Sequence, residues 1–265
     1  MEQLIVYLST VVPTFLLVVA RTIGMLTQAP VLGSRNNMPN TVRVSLAMML
    51  SITVLTQLES YPSLPDKVLA YIMLALFEFI LGFLFGFSAN LMFLAVQAAG
   101  EMAGQQAGLS AATVQNPFTK SGGNAMGTLF YQVSLLLFLL IGGHLWMIGG
   151  FIQSFQLVPL GTFSIHPALL RHFFDMTTVF LAIVIQLSLP MVAVVFIAEL
   201  GVGYMSKVAQ QASSLTQDLV TIAKPVAGML ILVFLMPNLM SVTYKYTENT
   251  IKDLDQILRI ARSGK

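Results

Sequence analysis

The sequence predicts an all-α integral membrane protein built from helical hairpins. Only 9% of its 265 residues are charged and 56% are apolar, whereas a soluble domain carries about a quarter charged residues. Mean hydropathy is +0.82, and the apolar residues gather into long runs separated by short polar clusters. One polar, glycine-spaced passage, Gly100 to Gly127, lies between two of the most apolar stretches. Hydrocarbon does not tolerate such a passage unless it packs against protein or faces a watery lumen. The length allows roughly six spans of about 20 residues and no sizeable soluble domain. A net charge of +2 leaves no electrostatic footprint for nucleic acid. The absence of cysteine excludes disulfides, thiolate metal sites and thiol nucleophiles.

Taken in order, the first apolar run extends from Leu4 to about Val31, with Arg21 inside it and Pro13 as a place for a bend. Glu2, with no basic residue before the run, suits an uncleaved first span better than a signal peptide. Gly33 to Asn40 is a turn cluster closed by Arg43. A second run, Val44 to Leu58, is uncharged but only about 15 residues long, short for a crossing. The third, Val68 to Ala99, is overlong and contains Glu78, with Gly82 and Gly86 as a small-xxx-small pair.

Gly100, Gly104 and Gly108 continue the four-residue spacing, so on a helix they form one bare ribbon that another backbone can approach. Glu101, Gln105 and Gln106 add polarity to that turn. Asn116-Pro117 and the Ser121-Gly122-Gly123-Asn124 cluster then end the helix. The ribbon reads as a packing face or as the stem of a re-entrant hairpin, and the two are compatible. Thr128 to Ile152 is again apolar and holds Gly142-Gly143-His144 and Trp146. In the mixed segment Ser154 to Asp175, Pro159, Gly161 and Pro167 are expected to interrupt any long helix. Met176 to Ala198 is an uncharged span with Pro190 inside, followed by a polar stretch to Asp218 containing Lys207. A last run, Leu219 to Met240, carries Lys224-Pro225, and the tail to Lys265 has the spacing of an amphipathic helix at a membrane surface or on a partner. With six conventional spans the basic cluster at Arg35 and Arg43 and the basic tail fall on opposite sides, against the positive-inside tendency. Five spans, or hairpins that do not all cross, reconcile them.

The polar residues inside apolar runs are the sites open to chemistry. Glu78 at a bilayer centre costs about 3 kcal/mol to insert unless protonated or paired. A proton relay and an interhelical ion pair, with Arg21 or Lys224 for example, both meet that cost. Arg21 and Lys224 also suit snorkelling to an interface. His144 has no second ligand at helical spacing and reads as a structural hydrogen-bonder. No HExxH, GxSxG, phosphate-cradling loop or paired intramembrane aspartates occur, so catalysis has no foothold and no cofactor is expected.

Ala99-Gly100-Glu101 through Gln106, Gly108-Leu109-Ser110, Asn116-Pro117 and the downstream Gly143-His144-Leu145-Trp146 resemble the FliR family of flagellar export-gate proteins, whose injectisome counterparts are the SctT proteins. Ala29-Pro30, the Pro39 to Arg43 loop, Pro159-Gly161 and the Leu189-Pro190 span follow in the family's order, so the resemblance covers nearly the whole chain. The chain departs from the family at Lys207-Val208-Ala209-Gln210-Gln211, where a basic residue is usually followed by an Ala-Pro-Gln-like motif. It also has Ala111 and Val114 where bulky aromatics are common, Phe118 arriving later.

The resemblance implies a non-enzymatic subunit of the bacterial inner membrane and flagellar basal body. About 1–175 would form a FliP-like part, and about 176–265 a FliQ-like hairpin with its tail. It would close a channel made with FliP-like and FliQ-like subunits, next to FlhB-like and FlhA-like components, within membrane lipid. Unfolded flagellar proteins would pass through it, with Gly108, Leu109, Ser110, Ala111, Val114, Asn116, Pro117, Phe118, Gly122 and Gly123 as the luminal plug. The competing reading is a small secondary transporter using Glu78 and Arg21 at a midplane site.

Overall fold

A computed structural model describes residues 2–31, 33, 39–58, 65, 67–106, 125–163 and 167–208, with 237, 240–242, 244–246 and 256–260 further on. Every described element is helical: α1 (Glu2–Gln28), α2 (Asn40–Leu55), α3 (Val68–Gln106), α4 (Ala125–Leu140), α5 (Gly143–Leu157) and α6 (Pro167–Val208). The protein is an all-α membrane protein. Among the described residues, Thr10–Gln28, Val68–Gln106 and Pro167–Gly201 are each long and apolar enough to cross a bilayer, and α4 with α5 makes a fourth candidate if that broken pair is one span. At 16 residues, α2 is about 24 Å long, short of the roughly 30 Å hydrocarbon core, as its sequence run suggests. The run Leu219 to Met240 lies almost wholly outside the described residues.

Breakers in two places shape the helices. Thr128 to Ile152 reads as one run, yet the helix stops at Leu140 and restarts at Gly143. Gly142 sits between with φ 74, a left-handed conformation that costs glycine nothing and other residues something, so the Gly-Gly step is a joint. The expected interruption follows α5, which ends at Leu157, and Pro167 is the first described residue of α6, which then runs through Arg171 and Asp175. Pro13 and Pro190 both lie inside continuous helix.

The chain divides into two compact units: Met1–Leu91 with Gly142–Met176 and Thr247–Lys265, and Met92–Ile141 with Thr177–Tyr246. In the first, the interior gathers Leu17, Met25, Leu81, Phe85 and Phe151, and Ile257 and Leu258 of the tail are also buried. In the second, Val96, Ala99 and Ala103 of α3 meet Met126 and Phe130 of α4 and Ile183, Val184 and Leu187 of α6. Hydroxyls in these apolar helices are mostly satisfied at home. Thr14 donates to the Thr10 carbonyl at 2.7 Å, Thr22 to Val18 at 2.7 Å and Ser88 to Leu84 at 2.7 Å. Such back-bonding lets a polar side chain sit in an apolar helix without an unmet donor.

Candidate functional site

The first unit is organised around one cation. Arg21, on the buried face of α1, is fully shielded, as is Glu78 of α3 to within 1%. Their side chains form an ion pair, Nη2 to Oε2 at 2.5 Å, with Nε donating to the same oxygen at 2.6 Å. Nη1 donates to the Ser154 carbonyl at 3.2 Å and the Val158 carbonyl at 3.1 Å, and Nη2 reaches Val158 as well, at 3.1 Å. These carbonyls belong to the last turn and cap of α5, where partial negative charge accumulates and donors run out. The second carboxylate oxygen of Glu78 accepts from the Gly161 N–H at 2.8 Å. Gly161, at φ 79, turns the chain out of α5. The Arg21 guanidinium also lies 4.3 Å from the Phe155 ring centroid, and Phe155 packs edge-on to Phe151 and Phe151 to Phe85. All three guanidinium nitrogens and both carboxylate oxygens are therefore engaged within the protein. A buried charge pair is tolerable only when its remaining donors and acceptors are met in this way.

Close backbone approach sets this geometry. A Cβ on Gly82 would collide with the Arg21 carbonyl oxygen and lie 2.8 Å from its carbonyl carbon. On Gly86 it would collide with the Met25 carbonyl oxygen, and on Gly24 with that of Phe79, 2.9 Å from the Phe83 nitrogen. Three glycines on two helices thus form a seam where α1 and α3 touch main chain to main chain, one turn from the ion pair. Gly82 and Gly86 stand out in the sequence by their spacing. Gly24 has no glycine partner on its own helix, and an isolated glycine in an apolar run is the only signal it gives.

The second unit holds a separate seam at the base of the polar passage. Gly100 meets α4 directly: a Cβ there would lie 2.9 Å from the Gly127 Cα, the Met126 carbonyl oxygen and Phe130 Cγ. Gly127 in turn admits the Glu101 side chain. A Cβ on Gly127 would overlap Glu101 Cγ and sit 3.2 Å from its carboxyl carbon. Gln97 Nε2 donates to Glu101 Oε1 at 3.0 Å. Gly104 is buried. The last turns of α3 and the first turn of α4 are thereby held in backbone contact.

The remaining predicted residues fall elsewhere. Gly108, Leu109, Ser110, Ala111, Val114, Asn116, Pro117, Phe118, Gly122 and Gly123 lie outside the described residues, as does Lys224. Lys207 is in the last turn of α6. His144 opens α5, and its Nδ1 is buried without a hydrogen-bond partner among the described residues. No cluster of three metal-ligating side chains occurs among the described residues. Sequence reasoning missed Gly24 and Gly127, along with the backbone acceptors of Ser154 and Val158, which carry no signature in residue type.

Apolar helices packed along glycine seams around a buried ion pair define an all-α membrane protein whose polar groups hold helices together. Residues 12–250 match the family described as bacterial export proteins, family 1, and the chain belongs to that family. The flagellar biosynthetic protein FliR of Bacillus subtilis (strain 168) is 30% identical over 207 residues, 75% of this chain and 77% of its own. FliR of Escherichia coli (strain K12) is 28% identical over 198 residues, 73% of each. The Yop proteins translocation protein T of Yersinia pestis is 24% identical over 225 residues, 84% and 86% respectively.

Proposed function

We propose that this chain is a core, non-enzymatic subunit of a flagellar type III protein-export gate in the bacterial inner membrane and basal body. It assembles with FliP-like and FliQ-like subunits, beside FlhB-like and FlhA-like components, and closes their channel to unfolded flagellar proteins. Membership of the bacterial export family across residues 12–250 carries this reading. The Gly100–Gly127 seam supports the plug reading, because it holds together the two helices that flank the polar passage 107–124. The division into a FliP-like part to about 175 and a FliQ-like part beyond it belongs to the same proposal.

The transporter alternative loses its site. Arg21 and Glu78 already bind each other and the end of α5, so a solute would have to displace every one of those bonds.

Deleting residues 111–123 tests the plug. Cells carrying the deletion are expected to leak small ions across the cell membrane and to secrete flagellar subunits abnormally. Unchanged ion retention together with unchanged secretion would overturn it.

A further inference from the structure

We propose that water, not lipid, meets the C-terminal end of α2 at Thr56 and Gln57, about a third of the way into the bilayer that α1 crosses. This requires that α1 cross and is independent of the export-gate reading. Every residue involved belongs to the first unit, and α1 is the ruler. The Ser51 hydroxyl of α2 lies 3.1 Å from that of Thr22 on α1. Arg43, near the start of α2, donates to the Gly33 carbonyl at 3.1 Å, and Gly33 donates to Ala29 at the end of α1 at 2.7 Å. The two helices are therefore antiparallel. Gln57 follows Ser51 by six residues, about 9 Å along α2, which sets it level with about Leu16 of α1. Every stretch of about 20 residues within α1, enough to cross, contains Leu16.

α3 marks the nearer face. It runs parallel to α1, because Gly82 and Gly86 abut the Arg21 and Met25 carbonyls, four residues apart on both helices. Tyr71 donates to the Pro13 carbonyl at 2.7 Å in the same sense. Lys67, exposed just before α3, then stands about 10–15 Å outward of Gln57. Arg43 and Lys67 are roughly 30 Å apart along α1, the thickness of the hydrocarbon core, with one cation at each face.

The groups at this depth are wrong for lipid. α2 stops at Leu55, and Thr56 and Gln57 beyond it are exposed. The Thr56 hydroxyl is met at home, donating to the Thr53 carbonyl at 2.8 Å. The Gln57 carboxamide brings two further donors and an acceptor, and a helix end places carbonyls outside its own ladder. Hydrocarbon admits such an end only where protein buries it or water reaches it. One turn earlier the outward face is Met48, Met49 and Ile52, all exposed and apolar, as lipid requires. The boundary between lipid and water thus falls between Ile52 and Thr56. Water satisfies a carboxamide and a helix end together, at every angle, without a matched protein surface.

The chain has no cysteine, so single thiols report without background. Lys67→Cys, Gln57→Cys and Ile52→Cys are made one at a time in the full-length chain, co-expressed with its export partners in cells. A charged, membrane-impermeant thiol reagent is then applied to each side of the membrane in turn. A thiol reacts as its thiolate, a form that water permits and hydrocarbon does not. K67C and Q57C are expected to lose their free thiol to reagent from the same side, while I52C keeps its own. Protection of Q57C beside a labelled K67C would overturn the proposal, whether lipid or a partner subunit covers the site. Labelling of I52C would overturn it too, by placing the whole of α2 in water. So would a protected K67C, which would remove the marker of the nearer face. If Q57C does not accumulate, T56C takes its place with the same expected result.

Discussion

Glu78→Ala is expected to abolish stable folding of the first unit. The substitution leaves the Arg21 guanidinium buried with its counter-ion gone, and removes the acceptor of the Gly161 N–H. Breaking one side of a buried pair costs about 3–5 kcal/mol, a large share of the margin by which most domains stay folded. The measurement is thermal unfolding of the purified complex, with accumulation in membranes as a second readout; an unshifted transition would refute the role assigned to the pair. Glu78→Gln should be milder, since the amide oxygen still accepts. Arg21→Lys should be severe, because one ammonium cannot meet Glu78 and the Ser154 and Val158 carbonyls in the planar fork that Arg21 provides. The exchange R21E/E78R keeps the net charge and is nevertheless expected to fail. It sets a carboxylate against the carbonyl end of α5, where both groups only accept. Rescue by the exchange would mean that charge neutrality alone matters.

Gly82→Val carries the second large effect. Its Cβ would strike the Arg21 carbonyl, which is main chain inside a helix and has no flexible end to swing away. The helices must separate, and the register of Arg21 against Glu78 shifts with them. Overpacking of this kind costs about 1–3 kcal/mol, occasionally more. Gly24→Ala should act in the same direction from the other side of the seam. Because the two sites share one contact surface, their effects should not add. Melting of the single and double variants checks this, and simple additivity would show that the seam is not one unit.

Much of this was legible in the sequence, for reasons that differ from residue to residue. The membrane class follows from composition, and Gly82, Gly86, Gly100 and Gly104 announce themselves because both members of each pair sit on one helix. Arg21 and Glu78 stand out as charges in apolar runs, and an ion pair is one of the few ways to keep them there. The sequence left Lys224 open as the alternative partner for Glu78, because pairing depends on which helices touch. Arg21's carbonyl partners were out of reach because any residue can offer them. The break at Gly142 was not legible inside its apolar run, whereas the interruption among Pro159, Gly161 and Pro167 was. The breaker signal says that a helix is altered, and only the surrounding hydrogen bonds say whether it ends, joins or begins there.

The span of the Arg21 contacts bears on how the molecule is made. Glu78 follows Arg21 by 57 residues and Val158 by 137. A ribosome adding about 5–20 residues per second needs about 7–27 s to deliver that last acceptor. Throughout this interval the nascent first helix carries a cation whose eventual partners do not yet exist. The newborn segment must wait near water, or under the care of the insertion machinery, until translation supplies the groups that let it settle.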